Sequence, residues 1–316
     1  MEQPLISICI PAYKNEGYLI RLLDSIKKQN FNSYEVVICD DSPNDALRLV
    51  VDKYKMNLSI TYFRNLTPLG SPANWNKSIE LARGKWIKIM HDDDWFAYND
   101  SLQKFANYTL NTNSDFIFCG FFNVDLSHDK KTKHLISKLN LSRLIKNPLY
   151  LFRTNYIGHP STTLIRNCNV EWFDERLKWV VDFEFYIRQL KSNKNIISIP
   201  EALINIGISN AQITKSVFRN PIVEIPENLY ILNKIGLDSF RYIYLYDYYW
   251  RLLRNLGLRS EIELRKYLPQ AQTIPSVIID MISIQKLVPS GILKIRPVSK
   301  IIMTFGWLCF MTKRNK

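Results

Sequence analysis

Up to Cys119 the chain alternates short apolar runs with segments whose apolar residues recur every three or four positions. Residues 5–10 form a β-rich run closed by Pro11, and Leu19, Leu22, Leu23 and Ile26 follow at helical spacing, which predicts strand, loop, helix. Residues 35–39 and 60–63 repeat the strand pattern. Ala73, Trp75, Ser78, Ile79 and Ala82 share one helix face, Gly84 marks a helix stop, and Trp86, Ile87, Ile89 and Met90 read as a fourth, buried strand. Phe105, Tyr108 and Thr109 fit another helix, and residues 116–119 a fifth strand. Strands and helices in this alternation predict an α/β fold with a mostly parallel, Rossmann-like sheet covered by helices.

The later pattern is less regular. Residues 127–144 are polar and basic and read as an exposed excursion; residues 158–165 read as a turn and a strand. Asp182 opens a helix marked by Phe183, Tyr186, Ile187 and Leu190, and residues 196–199 and 202–206 read as two short strands. From about residue 221 the pattern turns aromatic, basic and helical (Tyr242, Tyr244, Leu245, Tyr248, Tyr249, Leu252, Leu253), so a catalytic domain over 1–220 and a helical C-terminal extension over 221–316 are expected. Residues 301–311 are almost wholly apolar, too short to span a bilayer, and flanked by Lys300, Lys313, Arg314 and Lys316. Two readings stand: a segment lying in an anionic membrane interface with Trp307 at headgroup depth, or a helix docked on the domain or on a partner subunit.

Composition narrows the classes. At 316 residues and 47% hydrophobic the chain can fill a core, and a net charge of +13 asks for an anionic partner: nucleic acid, an acidic membrane surface or phosphorylated substrates. No finger, recognition helix or base-stacking motif is recognisable, so nucleic acid is not expected. The N-terminus lacks a basic region ahead of a long apolar run, which predicts a cytoplasmic protein, peripheral at the inner face of the plasma membrane if the tail is interfacial. Five scattered cysteines, three of them (Cys9, Cys39, Cys119) inside strand-like runs, fit buried thiols. Neither GxGxxG nor GxxxxGK[ST] occurs.

Chemistry gathers where strands end. The first strand leads into Pro11, Tyr13 and Glu16, the second into Asp40 and Asp41, and the fourth into His91, Asp92, Asp93 and Asp94. Ligands of open α/β sheets collect at such ends. Adjacent carboxylates repel and call for a cation, and oxygen donors suit Mg2+ or Mn2+; a solvated turn is the alternative. Asn44 or Asp45, and Asp182, have helix capping as their alternative role.

Taken together, residues 8–16, residues 37–42, Gly70 through Asn76 with residues 82–84, and residues 91–95 resemble, in order and spacing, the family 2 glycosyltransferases of GT-A fold over roughly residues 5–210. The resemblance implies that Pro11, Tyr13, Glu16 and Asp40 hold the nucleotide, that Gly70, Asn76 and His91 join them in binding the nucleotide sugar, and that Asp41 lies beside that site. In relatives the acidic motif is commonly Asp-any-Asp-Asp. Here His91 takes its first position, Asp92 is left as the ribose contact, and Asp93 is the metal ligand, for Mn2+ or Mg2+. Asp182 falls at the catalytic base, with Val181 in place of the usual Glu, and His159 and Ser161 border the acceptor. Around Gln212, where relatives carry a lid, Lys215 is the nearest base. The implied activity is inverting transfer of a hexosyl or N-acetylhexosaminyl group from a nucleotide sugar to a saccharide acceptor, lipid-linked given the tail, in polysaccharide, O-antigen or lipopolysaccharide synthesis. A nucleotidyltransferase making a nucleotide sugar and a catalytically degenerate relative are the alternatives.

Overall fold

A computed structural model describes residues 2–110, 113–128, 130–168, 171–192, 195–208 and 217–314. The chain divides into two compact units, the first made of Met1–Pro148, Tyr156–Leu177 and Val181–Gln212. In it, strands β1 (Ile6–Ala12), β2 (Tyr34–Asp40), β3 (Ile60–Arg64) and β4 (Trp86–Ile89) lie in the order β3-β2-β1-β4, all parallel. Parallel neighbours need crossovers, which α1 (Glu16–Lys27), α2 (Ala46–Tyr54) and α3 (Ala73–Glu80) supply. The buried stripe of α1, Leu19, Leu22, Leu23 and Ile26, packs with Ile8, Ile10, Val36 and Ile38 in one core. Full burial of each such side chain contributes ~1.5–3 kcal/mol.

A buried polar knot fixes where β4 enters the sheet. Ser7 Oγ donates to Glu35 Oε1 (2.6 Å) and accepts from Gly84 N (2.7 Å), while Arg83 donates to Glu35 from its backbone and its guanidinium. Burial acts against the Glu35 charge, but these hydrogen bonds hold its carboxyl below the usual range. A Cβ on Gly84 would lie 2.5 Å from Ser7 N, so this residue serves the close approach of two chain segments; α3 has already ended at Glu80.

The second half of the sheet departs from the parallel expectation. It holds β5 (Trp95–Phe96), β6 (Phe116–Asp125), β7 (Lys130–His134), β8 (Thr163–Arg166) and β9 (Ile196–Ile208), with α4 (Ser101–Thr109), α5 (Lys138–Lys146) and α6 (Val181–Ser192) between them. Strand β8 slots antiparallel between β4 and β6, β9 runs parallel to β6, and β5 pairs antiparallel at the end of the order. The expected pair of short strands at 196–206 is the single strand β9, whose pairing with β6 shifts register at Gly120; Pro200, which lacks a donor, lies in that stretch. The basic excursion is an exposed strand, β7, hairpinned on β6 and followed by α5; Asp129 lies outside the described residues.

The second unit comprises Leu149–Asn155, Lys178–Val180 and Ile213–Lys316, so a boundary at 220/221 falls inside it. Its helices are α7 (Pro221–Ile235), α8 (Ile243–Asn255), α9 (Glu261–Arg265), α10 (Ser276–Lys286), α11 (Ser290–Lys294) and α12 (Arg296–Arg314). Aromatic contacts draw in the first fragment, Phe152 against Tyr248 (4.9 Å) and Tyr150 against Tyr244 (5.4 Å). The Glu227 carboxylate draws in the second by accepting the N–H groups of Lys178, Trp179 and Val180.

Candidate functional site

The loop after β1 is wound tightly. Lys14 adopts φ 60°, its N–H donates to Ser42 Oγ (2.7 Å), and Asn15 caps α1 by accepting from Tyr18 N (3.0 Å). Pro11 stays buried in the strand, Tyr13 is 46% exposed with Lys14 Nζ 4.7 Å from its ring centre, and Glu16 is exposed on the first turn of α1. This loop therefore offers an accessible aromatic face beside a carboxylate.

The carboxylates at the end of β2 face inward. Asp40 is fully buried and accepts from Ser42 N and Tyr62 OH, both at 2.7 Å, so a ligand reaching it has to displace Tyr62. Asp41 accepts from Asn65 Nδ2 (2.6 Å), Leu69 N (3.0 Å) and Gly70 N (2.7 Å), and thereby holds Gly70 in its left-handed conformation, φ 75°. Asn76, expected beside the nucleotide, is a tether instead: its amide binds both backbone groups of Phe173 and the Glu175 carboxylate.

Beyond β4 the acidic turn is clamped from several sides. Asp92 Oδ2 accepts from Tyr13 N (3.0 Å), and Arg21, its guanidinium over the Trp95 ring, donates to Asp93 O (2.9 Å). Asp94 is buried, accepting from Gly207 N (3.3 Å); a Cβ at Gly207 would sit 2.4 Å from Asp93 O, so the end of β9 presses directly on the turn. His91 is held by Trp75, ring centres 4.6 Å apart, and its N–H donates to Ser161 Oγ (3.0 Å). Donor atoms of His91, Asp93 and Asp94 all lie within 4.8 Å of one another. Two atoms of that group, His91 Nε2 and Asp94 Oδ2, are buried with no partner in hydrogen-bonding geometry.

Electrostatics here suppress charge. Burial first, then the Asp93 charge, pushes Asp92 up to about 7 and Asp94 well above its ordinary value, while burial lowers His91 to about 4 and takes His159 below its usual range. Behind the turn, Lys88 is fully buried on β4, 4.9 Å from the Phe105 ring centre, and its ammonium donates to Ser161 O. Burial brings Lys88 down to about 7, with Cys119 and Asp94 acting in the opposite direction. Ser161, expected on the acceptor side, is fully buried and fastens its own turn to β4 through both polar groups. His159 stays half-buried, close enough to Asp93 to feel its charge.

Asp182 lies in the first turn of α6, one residue inside the helix, with Oδ1 accepting from Phe183 N (2.9 Å). Tyr186, one turn on, donates to Gly158 O (3.1 Å), which ties α6 to the segment carrying His159. Gln212 and Lys215 lie outside the described residues. Sequence reasoning passed over Asp94 as a donor, Trp75, Arg21 and Lys88. Only Lys88 left a mark there, a lone charge inside an apolar strand. A cleft of about 470 Å³ bordered by Arg21, Asp24, Lys28 and Trp95 lies along α1 and β5 and holds none of the donor group.

Residues 7–171 match the family described as glycosyl transferase family 2. An uncharacterized glycosyltransferase of Haemophilus influenzae is 27% identical over 261 residues, 78% of this chain and 97% of its own. The putative colanic acid biosynthesis glycosyl transferase WcaA of Escherichia coli is 26% identical over 224 residues, 67% of this chain and 76% of its own. Among solved structures, Staphylococcus aureus TarS 1–349 in complex with UDP-GlcNAc has a TM-score of 0.62 over 98% of this chain and 92% of its own, at 19% identity, a likeness of fold. The match spans β1 through β8 and the whole acidic turn, and the chain belongs to glycosyl transferase family 2.

Proposed function

We propose that this glycosyltransferase moves a sugar, with inversion, from a nucleoside-diphosphate sugar to a hydroxyl of a lipid-linked saccharide, in surface-polysaccharide, O-antigen or lipopolysaccharide assembly at the cytoplasmic face of the plasma membrane. The observation that carries the reading is the His91, Asp93 and Asp94 donor group at the end of β4, with two unpartnered buried atoms, beside the exposed Tyr13 loop. The name of WcaA, with its colanic acid biosynthesis, supports the polysaccharide setting, and the UDP-GlcNAc complex of TarS supports the nucleotide-sugar donor.

A divalent cation fits these residues. Two carboxylates and one imidazole offer mixed O and N donors, which favours Mn2+ over Mg2+, and the unpartnered atoms are the ones a cation would satisfy. When bound, it supplies positive charge against the departing nucleoside diphosphate. Tyr13, Glu16 and Asp92 form the nucleotide side, with Asp40 and Asp41 shaping the loops behind, and His159 faces the acceptor. Asp182 takes the proton as the acceptor hydroxyl oxygen bonds to the anomeric carbon and the bond from that carbon to the phosphate oxygen breaks, releasing nucleoside diphosphate.

The test is a screen of UDP-, GDP- and dTDP-sugars with and without Mn2+ or Mg2+, scoring thermal midpoint and release of nucleoside diphosphate, since a ligand of the folded state alone raises the midpoint. Cation-dependent stabilisation with release is expected for one donor. Release of pyrophosphate would point to nucleotidyl transfer, and silence from folded protein across all donors would overturn the proposal.

A further inference from the structure

We infer that the second unit docks on an anionic bilayer through the outward face of α12. The first observation is charge. Eighteen Lys and Arg stand against seven Asp and Glu in this unit, which gives it +11 of the chain's +13.

The second observation is the helix itself. Its inner stripe, Ser299, Met303 and Gly306, is buried; a Cβ on Gly306 would lie 2.9 Å from the Tyr246 hydroxyl oxygen, and Phe310 packs 6.0 Å from Phe240. Trp307, expected at headgroup depth, belongs to the inner side: its Nε1 donates to Phe240 O (3.0 Å). The residues turned away from this packing are Ile301, Phe305 and Leu308, 71%, 66% and 51% exposed. At about 100° per residue they fall within about 60° of one another. Lys300 and Lys313 lie about 80° to either side of that strip, ion-paired with Asp247 (3.5 Å) and Asp280 (3.1 Å), and Ile292 and Ile295 add exposed apolar surface just upstream.

A helix packed on a core by one face ordinarily turns its polar face to water. Here both faces are apolar. Single exposed apolar side chains are commonplace, but a contiguous strip bordered by basic residues marks an interaction surface. No helix among the described residues is long and apolar enough to cross a membrane, so the fitting arrangement is a helix lying in the headgroup region. Other occupants fit less well. A second copy would bring two strongly cationic units together, and a nucleic acid would meet the charges yet leave the strip uncovered. Anionic lipid answers charge and strip at once. The assignment gives the lipid-linked acceptor its surface but rests on the second unit alone.

The experiment sediments the full chain with vesicles of phosphatidylcholine, and of phosphatidylcholine with about one third phosphatidylglycerol, at low and high salt. Salt-sensitive binding to the anionic vesicles alone is expected. The triple variant Ile301→Ser, Phe305→Ser, Leu308→Ser should lower that partition by about tenfold or more, and Lys294→Gln with Arg296→Gln several-fold. Failure to bind anionic vesicles, undiminished binding by the triple variant, or a lipid-free oligomer that this variant dissociates would overturn the inference. If the triple variant does not fold, Phe305→Trp replaces it: its added emission should shift to the blue on anionic vesicles, and an unshifted spectrum overturns the docking. The donor screen runs without lipid, so the transferase reading and the membrane reading can fail separately.

Discussion

The first unit carries twenty-four basic and twenty-two acidic residues, the second eighteen and seven, yet the donor group proposed to meet the nucleotide's charge lies in the near-neutral first unit. In the first, the charges at the end of β4 are few but confined by burial, so on the proposed reading a handful of side chains governs the chemistry. In the second they are spread over helix surfaces, where each is screened and their sum is what counts. A net charge of +13 asks for an anionic partner while saying nothing of where a reaction takes place. Position in the fold decides that.

Four substitutions test the contrast. The largest effect is expected from Asp182→Asn, which should cut turnover about 10²–10⁴-fold while donor-induced stabilisation persists. Full activity in that variant would remove Asp182 from its role. Asp93→Asn comes next, with cation affinity, read from the thermal midpoint against Mn2+ concentration, weakened at least about tenfold; an unchanged titration would move the cation elsewhere. Asp41→Asn replaces one of two acceptor oxygens with a donor, set against either the Gly70 N–H or those of Leu69 and Asn65. Loss of about 1.5–3 kcal/mol in chemical denaturation is expected, and a neutral result would show the 67–70 loop to be held by other means.

Lys88→Met gives the smallest and most diagnostic change. Burial lowers the Lys88 ammonium from its ordinary 10.5 to about 7. Between those values the unfolded chain binds the extra proton, so the penalty for burying Lys88 is full below about pH 7 and shrinks as pH rises toward 10.5. The cost of the substitution should therefore grow by roughly 1 kcal/mol per pH unit between about pH 7 and 9. A cost independent of pH would mean that the buried lysine does not titrate there.

Much of the first unit was legible because strand and helix periods are local. Each of β1 to β4 announces itself by a short run rich in apolar, β-branched or aromatic residues, and the acidic ends of β2 and β4 are contiguous with their strands. The second half of the sheet was harder to read, since β8 pairs with β4 across a sequence gap of about eighty residues and its sense is set by tertiary partners. Roles were less legible than positions. That Asp41 and Asn76 hold loops, and that Ser161 is bolted to β4, depends on hydrogen bonds between residues far apart in the chain. The inward turn of Trp307 was invisible for a related reason. An apolar helix with two apolar faces gives the same composition whichever face is packed.

The junction of Gly207 with the acidic turn bears on how this chain can change over generations. Position 207 admits no side chain while Asp93 keeps its carbonyl where it is. Drift there has to be accompanied by a rebuilt turn, because even the smallest replacement displaces the residue proposed to hold the cation. Solvent-facing positions of the same strand, such as Glu201, carry no such restriction. One strand therefore joins a position closed to any side chain with one, Glu201, whose side chain reaches solvent and pairs with Lys104.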